Sequence, residues 1–371
     1  DCDNSFIHLQ SQGSISVSPS SQRLKFGDRT AKEVERHPGS PPRSDTMALF
    51  LPLPYSCSRM MDVDDEGAVL EVFEAAKIPL VELAERSSIN KRGKVVKLRL
   101  SPCFGLRDMP ASIGDLSHLE EIYLFWGGDQ FVAVPSSFAR LASLRVLQLR
   151  FCQSLRSLPT SLGTKLVNLE ELTLEGCTSL SDLSCLKSGR HTWRKLKKLR
   201  IVDSPRVQLL DVFLDGPFED NNIDVNQCCF PSLTCLSLRR NEIDQHDVAC
   251  LWKFFRRCPR LSSIDLSRNR ISSLKELASV ATSSKTRIRS LRRLNLASNP
   301  VFGVSDSRPD EAVSMVIDGG ESSSSTTFYH EQQHYLMEIL TSNPHLESVM
   351  DCQETGAPDS RVIQCFENSP L

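Results

Sequence analysis

Eight times between Val95 and Leu296 the chain returns to one short pattern: an apolar residue, two variable ones, then apolar, variable, apolar. The copies are Val95-Val-Lys-Leu-Arg-Leu100, Leu119-Glu-Glu-Ile-Tyr-Leu124, Leu144-Arg-Val-Leu-Gln-Leu149, Leu169-Glu-Glu-Leu-Thr-Leu174, Leu196-Lys-Lys-Leu-Arg-Ile201, Leu233-Thr-Cys-Leu-Ser-Leu238, Leu261-Ser-Ser-Ile-Asp-Leu266 and Leu291-Arg-Arg-Leu-Asn-Leu296. In an extended strand alternate side chains face opposite ways, so Leu147 and Leu149 point inward while Val146, Gln148 and Arg150 point outward. One such segment cannot bury its apolar residues alone. Stacked copies bury them against each other, and their strands line up as a parallel sheet. The pattern therefore predicts an α/β solenoid, a curved rod with the sheet on its concave face and extended, 3₁₀ and helical returns on its convex face.

Three residues after the last apolar position stand Cys103, Gly127, Cys152, Cys177, Ser204, Asn241, Asn269 and Asn299. Where the chain turns after each strand, backbone groups would be buried without partners. An Asn side chain or a Cys thiol satisfies some of them. With this residue the pattern resembles the leucine-rich repeat, whose consensus carries Asn or Cys there. The copies start at intervals of 24, 25, 25 and 27 residues and then 37, 28 and 30, so two subtypes are expected. The returns of the first group carry Met109-Pro110, Val134-Pro135 and Leu158-Pro159, and proline there favours an extended or short 3₁₀ path. This half is similar to the intracellular repeats of plant disease-resistance proteins and of the Ras-associated scaffold family. In the second group Val248, Leu251, Trp252 and Phe255, then Leu274, Leu277, Ala278 and Ala281, recur at helical spacing. That half resembles the ribonuclease-inhibitor subtype.

Residues 1–62 are rich in Ser, Pro and Arg without periodicity and are expected to be disordered or an extension of the gene model, with Met47, Met60 and Met61 as later starts. The apolar run from Met47 to Cys57 is short and broken by two prolines, which argues against a secretory signal. Residues 63–94 are expected to cap the rod, with a helix from Asp64 to Glu85. The repeat domain spans 95–350, interrupted by insertions at about 211–230 and 302–327 and ending in an outer helix at Tyr335 to Leu340 and a truncated ninth strand at Asn343 to Val349. Residues 351–371 form a tail.

The net charge of −2 selects no nucleic acid, and no stretch is long and apolar enough for a membrane span. Thirteen cysteines without a CxxC pair, several of them in repeat-core positions, suit a reducing compartment, as does the lack of an Asn-x-Ser/Thr sequon. The cytoplasm is expected, with the nucleus as a second compartment. No Gly-rich phosphate loop, kinase signature or serine nucleophile elbow occurs.

The sharpest chemical motif is His330-Glu331-Gln332-Gln333-His334. On a helix it places both imidazoles on one face for zinc, with Glu331 as general base. Against that reading, the motif runs into a repeat-like terminus with no catalytic domain around it, so no metal or other cofactor and no enzyme is expected. A zinc hydrolase through His330 and His334 is kept as an alternative.

The outward strand positions are the expected site: Lys97, Arg99, Glu121, Tyr123, Phe125, Gln148, Arg150, Glu171, Thr173, Glu175, Lys198, Arg200, Arg239, Asp265 and Arg293. Tyr123, Phe125 and Trp126 are large aromatics of the kind that anchor interfaces. Cationic runs at Lys187, Arg190, Arg194, Lys195, Lys197, Lys198 and Arg200, and again at Lys285, Arg287, Arg289, Arg292 and Arg293, read either as solvated surface or as a site for an acidic or phosphorylated partner. The expected function is that of a non-enzymatic scaffold or regulatory subunit binding a protein partner on the concave face. Its rival is the recognition portion of a larger immune-type or signalling receptor.

Overall fold

A computed structural model describes residues 61–186, 193–214, 230–283, 288–302 and 323–346, with only the backbone described at 211, 214 and 323–330. All of them belong to one compact unit. Its spine is a single nine-stranded sheet whose spatial order equals its chain order. The strands are β1 (Ser87–Ile89), β2 (Val95–Leu100), β3 (Glu121–Phe125), β4 (Val146–Arg150), β5 (Glu171–Glu175), β6 (Lys198–Val202), β7 (Cys235–Ser237), β8 (Ser263–Asp265) and β9 (Arg293–Asn295). From β2 onward every pair is parallel and in the register that the repeat sets, so that Leu98, Ile122, Leu147, Leu172, Leu199, Leu236, Ile264 and Leu294 form one inward row. That row is buried throughout, and it belongs to one continuous apolar core running from the cap to the last helix. The architecture is the expected leucine-rich-repeat solenoid.

The returns change character along the chain. The early ones are 3₁₀ turns at Ala111–Asp115, Ser136–Arg140 and Ser184–Leu186 and a single helical turn, α3 (Leu162–Lys165). Pro110 and Pro135 directly precede the first two, where a missing N–H costs nothing. The later returns are helices, α4 (Leu209–Leu214), α5 (Gln245–Phe255) and α6 (Lys275–Thr282). The stripe Val248, Leu251, Trp252 and Phe255 of α5 is buried as its spacing requires. The helix starts at a capping box, in which Asp244 accepts from His246 N and Asp247 N while Asp247 accepts from Asp244 N.

Side chains after the strands hold the turns. In the second half this is an asparagine ladder. Asn269 Oδ1 accepts from Asn241 N (2.8 Å) and Ile243 N (3.2 Å), while its Nδ2 donates to Leu238 O and Leu266 O. Asn299 repeats this one turn later toward Asn269 N and Ile271 N. In the first half thiols take the role: Cys103 Sγ lies 3.2 Å from Phe125 O, and Cys177 Sγ 3.7 Å from Leu149 O. Burial pushes the Cys103 thiol up to about 12, so at neutral pH it is a donor and not a nucleophile. Ionisation of the buried Cys152 thiol is pushed up by its hydrogen bond with the Cys177 thiol and by burial.

The cap departs from the expected single helix. Helix α1 (Val63–Ala75) ends in a left-handed turn, with Lys77 at φ 54° and Ile78 N donating back to Phe73 O, and Pro79 follows. A 3₁₀ turn (Leu80–Glu82) and α2 (Leu83–Arg86) follow. Then β1 pairs antiparallel with β2 across a turn in which Asn90 Oδ1 accepts from Arg92 N and Gly93 takes φ 76°. The buried carboxylate of Asp65 accepts from Val95 N at 2.8 Å and so ties cap to first repeat. At the other end α7 (Ser323–Ser342) begins twelve residues earlier than Tyr335, and Leu336 and Ile339 pack into the core. Residues 343–346, where the truncated ninth strand is expected to begin, form a turn in which Leu346 N donates to Asn343 O, while the insertions beyond Leu214 and Phe302, residues 347–371 and residues 1–60 lie outside the described residues.

Candidate functional site: the open face of the sheet

Pairing in register turns the outward positions into rows. One row reads Lys97, Glu121, Val146, Glu171, Lys198, Cys235, Ser263 and Arg293, and the next Arg99, Tyr123, Gln148, Thr173, Arg200, Ser237, Asp265 and Asn295. A third holds Phe125, Arg150 and Glu175. Residues that stand 25 or 27 apart in sequence thus become neighbours about 5 Å apart.

Along these rows the carboxylates are taken up within the face. Glu121 pairs with Lys97 Nζ at 2.5 Å and accepts from Tyr123 OH at 3.0 Å. Glu171 accepts from Gln148 Nε2 at 2.7 Å and lies 3.5 Å from Lys198 Nζ. Glu175 lies 3.3 Å from Arg150 Nε, an ion pair without hydrogen-bond alignment. Asp265 accepts from Ser237 Oγ and Ser267 Oγ. The cations are not all consumed: among the described residues no carboxylate stands within 4 Å of Arg200 or Arg293, and Arg200 Nε is buried without a hydrogen-bond partner.

The aromatic residues of this face are capped by cations. Lys97 Nζ sits 5.0 Å and Arg99 Cζ 5.9 Å from the centre of the Tyr123 ring, and Arg150 Cζ 5.4 Å from that of Phe125. Burial and the Glu121 carboxylate push the Tyr123 phenol up to about 12. Burial also opposes ionisation of Glu121, but the bonds from Lys97 and Tyr123 outweigh it and hold its carboxyl below the ordinary carboxylate range. A depressed folded-state value means stability that is present above the unfolded value of roughly 4.3 and is lost as pH falls through the folded value. Glu121→Gln is therefore expected to lower the melting temperature at pH 7 and to match wild type near pH 3. A gap of the same size at both pH values in thermal scans would exclude this role for the ion pair.

Thr173 is the one expected contact residue that the structure closes off. It is fully buried, flanked in register by the longer side chains of Gln148 and Arg200, and its Oγ1 has no partner. Part of the first cationic run is likewise spent locally, since Lys195 donates to Asn168, Lys197 to Glu170 and Lys198 pairs with Glu171. Lys187, Arg190, Lys285 and Arg287 lie outside the described residues.

No protein-family profile matches the chain. Over 165 residues, 42% of this chain, it is 30% identical to the disease resistance protein RPP4 of Arabidopsis thaliana, and the match spans 14% of that protein. Among solved structures it aligns with the leucine-rich-repeat ectodomain of the receptor kinase SOBIR1 from Arabidopsis thaliana at 20% identity, covering 56% of this chain and 94% of that one with a TM-score of 0.30. It aligns with a plant ice-binding protein at 18% identity, 65% and 64% coverage and a TM-score of 0.36. The chain has the leucine-rich-repeat solenoid fold.

The zinc motif of the repeat protein has a structural occupation. Helix α7 carries His330 and His334 four residues apart, but His334 is solvent-exposed, with Nδ1 3.6 Å from Glu338 and its ring edge-on to Tyr335. Between them Gln332 is buried and its Oε1 accepts from Leu274 N at 2.8 Å, which fastens α7 to the neighbouring repeat. The His330 side chain lies outside the described residues. Among the described residues no cluster of three His, Cys, Asp or Glu could hold a metal, no catalytic constellation occurs, and no helix is long and apolar enough to cross a membrane.

Sequence reasoning picked out Trp126 but missed its neighbours. Phe104, Trp126 and Phe151 stack beside the open face with ring centres 6.1 and 5.9 Å apart and planes inclined by 23° and 22°. They are 69%, 45% and 37% exposed. The signal was present, because Trp126 and Phe151 occupy the same position of successive repeats, 25 residues apart.

Proposed function

We propose that this solenoid is a non-enzymatic interaction module whose open sheet face binds an acidic segment of a protein partner. The observation that carries the reading is the uneven pairing of charge. The face's carboxylates are bonded to neighbours, while the guanidinium groups of Arg200 and Arg293 face no carboxylate. A carboxylate or phosphoryl group brought by a partner completes what the fold leaves open, and guanidinium groups bind either one through paired hydrogen bonds. The exposed pairs are individually worth about 0–1 kcal/mol, so exchanging one for a partner contact costs little. A reducing intracellular setting, which suits the buried thiols of Cys103, Cys152 and Cys177, belongs to the same proposal.

The test is affinity capture from native lysate with the wild-type chain and with Arg200→Glu. The captured acidic protein is expected to bind the variant at least about tenfold more weakly and with a slower on-rate at low salt, as removal of a steering charge requires. Equal capture by both forms, with the variant folded, defeats the charge reading.

A second reading has one observation in its favour: the matched stretch is a small part of a much longer disease resistance protein. In that reading the chain is the recognition portion of a larger immune-type receptor. Sequencing the full-length transcript decides it, because a receptor requires an additional signalling module in the same reading frame.

A further inference from the structure

The Phe104, Trp126 and Phe151 stack is not required by the solenoid. Seven consecutive repeats place the second residue after their last inward apolar position in the left-handed region: Trp126, Phe151, Gly176, Asp203, Arg240, Arg268 and Ser298, with φ between 52° and 65°. The turn aims that residue's N–H at the carbonyl of the next repeat, as in Trp126 N to Arg150 O, Phe151 N to Glu175 O and Gly176 N to Val202 O. Glycine, aspartate, arginine and serine all serve this backbone role. Any Cβ crowds the carbonyl at positive φ, and a bulky side chain adds to that cost, so nothing in the turn itself calls for an aromatic. Here two aromatics adopt it and are also left in contact with water.

The surroundings keep the ring row open. A Cβ on Gly176 would come 2.6 Å from Phe151 Cδ1, so only glycine lets that ring lie against the next turn. A Cβ on Gly128, itself at φ 68°, would meet Phe104 O at 2.2 Å, which fixes glycine beside the start of the row. Backbone strain and exposed aromatic surface at the same positions mark a site kept for something other than folding.

We infer that the Phe104, Trp126 and Phe151 row is a docking surface for an extended peptide segment of a partner protein with apolar residues at alternate positions. Area decides against a second folded copy of the chain. At about 150–250 Å² per aromatic side chain the exposed fractions amount to roughly 300 Å², far below the ~800 Å² per side of a stable protein pair. Period decides for an extended occupant. Alternate residues of a strand repeat on one face at about 6.6 Å, close to the observed ring spacings of 6.1 and 5.9 Å, whereas a helix at four-residue steps of about 6 Å turns its contacts by about 40° each step and leaves a straight row. The row is continuous with the open face, since Phe125 and Arg150 directly precede Trp126 and Phe151, yet the inference does not depend on the charge reading proposed above.

The protein carries its own reporter. Of its three tryptophans, Trp193 and Trp252 are 2% and 1% exposed, so solvent quenching of fluorescence reads Trp126. The probes are a panel of blocked peptides alternating leucine, phenylalanine or proline with serine, and control peptides of the same composition with the apolar residues at helical spacing. Members of the alternating panel are expected to shield Trp126 from acrylamide and shift its emission to the blue, and the controls are not. Phe151→Gly is expected to stay folded with a small loss in melting temperature, because relief of the left-handed turn offsets part of the lost ring contacts, while weakening the binding about tenfold or more. Phe104→Ser, at the most exposed ring, gives the same loss without touching that turn. Arg200→Glu leaves the peptide response unchanged, which separates this inference from the open-face proposal. No shielding by any panel member, equal shielding by the helical controls, full binding by both ring variants, or shielding that follows protein concentration alone would each overturn it.

Discussion

Asn269→Ala is expected to lower stability by about 3–5 kcal/mol, among the largest effects of a single polar replacement in this chain. The Asn269 side chain accepts from two backbone N–H groups, of Asn241 and Ile243, and donates to the carbonyls of Leu238 and Leu266, all of them buried. Alanine leaves both N–H groups without partners, at roughly 1–3 kcal/mol each. The damage is expected to be local at first. A solenoid is held by nearest-neighbour contacts, so the repeats around β7, β8 and β9 open before those around β3 and β4. Hydrogen exchange resolved along the chain checks this. Uniform loss of protection over all repeats, or a change under about 1 kcal/mol, contradicts the role given to the ladder.

Leu147→Ala is expected to cost about 2–5 kcal/mol, because Leu147 is wholly buried in the inward row of the sheet and its removal leaves a cavity between Ile122 and Leu172. Tyr123→Ala, one strand away but on the open face, is the contrast. Tyr123 is only partly buried, and its interactions are the bond to Glu121 and the cations of Lys97 and Arg99. Its loss is expected to cost about 1 kcal/mol, within the scale of one hydrogen bond and an exposed cation–π contact. Denaturant titration of both variants measures the difference. Equal destabilisation would mean that the face of the sheet is part of the core.

How far the chain could be read without coordinates depended on the range of the interactions. The eight strands from Val95 to Leu296, the inward leucines and the buried stripe of α5 were legible because period and burial are properties of adjacent residues. The change from 3₁₀ to helical returns was legible for the same reason, through Pro110 and Pro135 on one side and the spacing from Val248 to Phe255 on the other. Strand β1 was not, since Ser87-Ser88-Ile89 is too short to show alternation and gains its partners only from β2. The burial of Thr173 escaped because it depends on Gln148 and Arg200, side chains of the two neighbouring repeats. Phe104 was missed because its stacking on Trp126 joins residues at different positions of their repeats.

Sequence alone determined that these residues must coil into stacked parallel strands and which side chains point outward, because both follow from a two-residue alternation repeated at near-constant intervals. Only the tertiary structure decided which of the outward charges neutralise one another, which aromatic rings form a continuous exposed row, and that the central Gln332 of a metal-binding motif is a clasp for the last helix. Those outcomes rest on distances between neighbouring repeats, and such distances exist only once the register of the sheet is set.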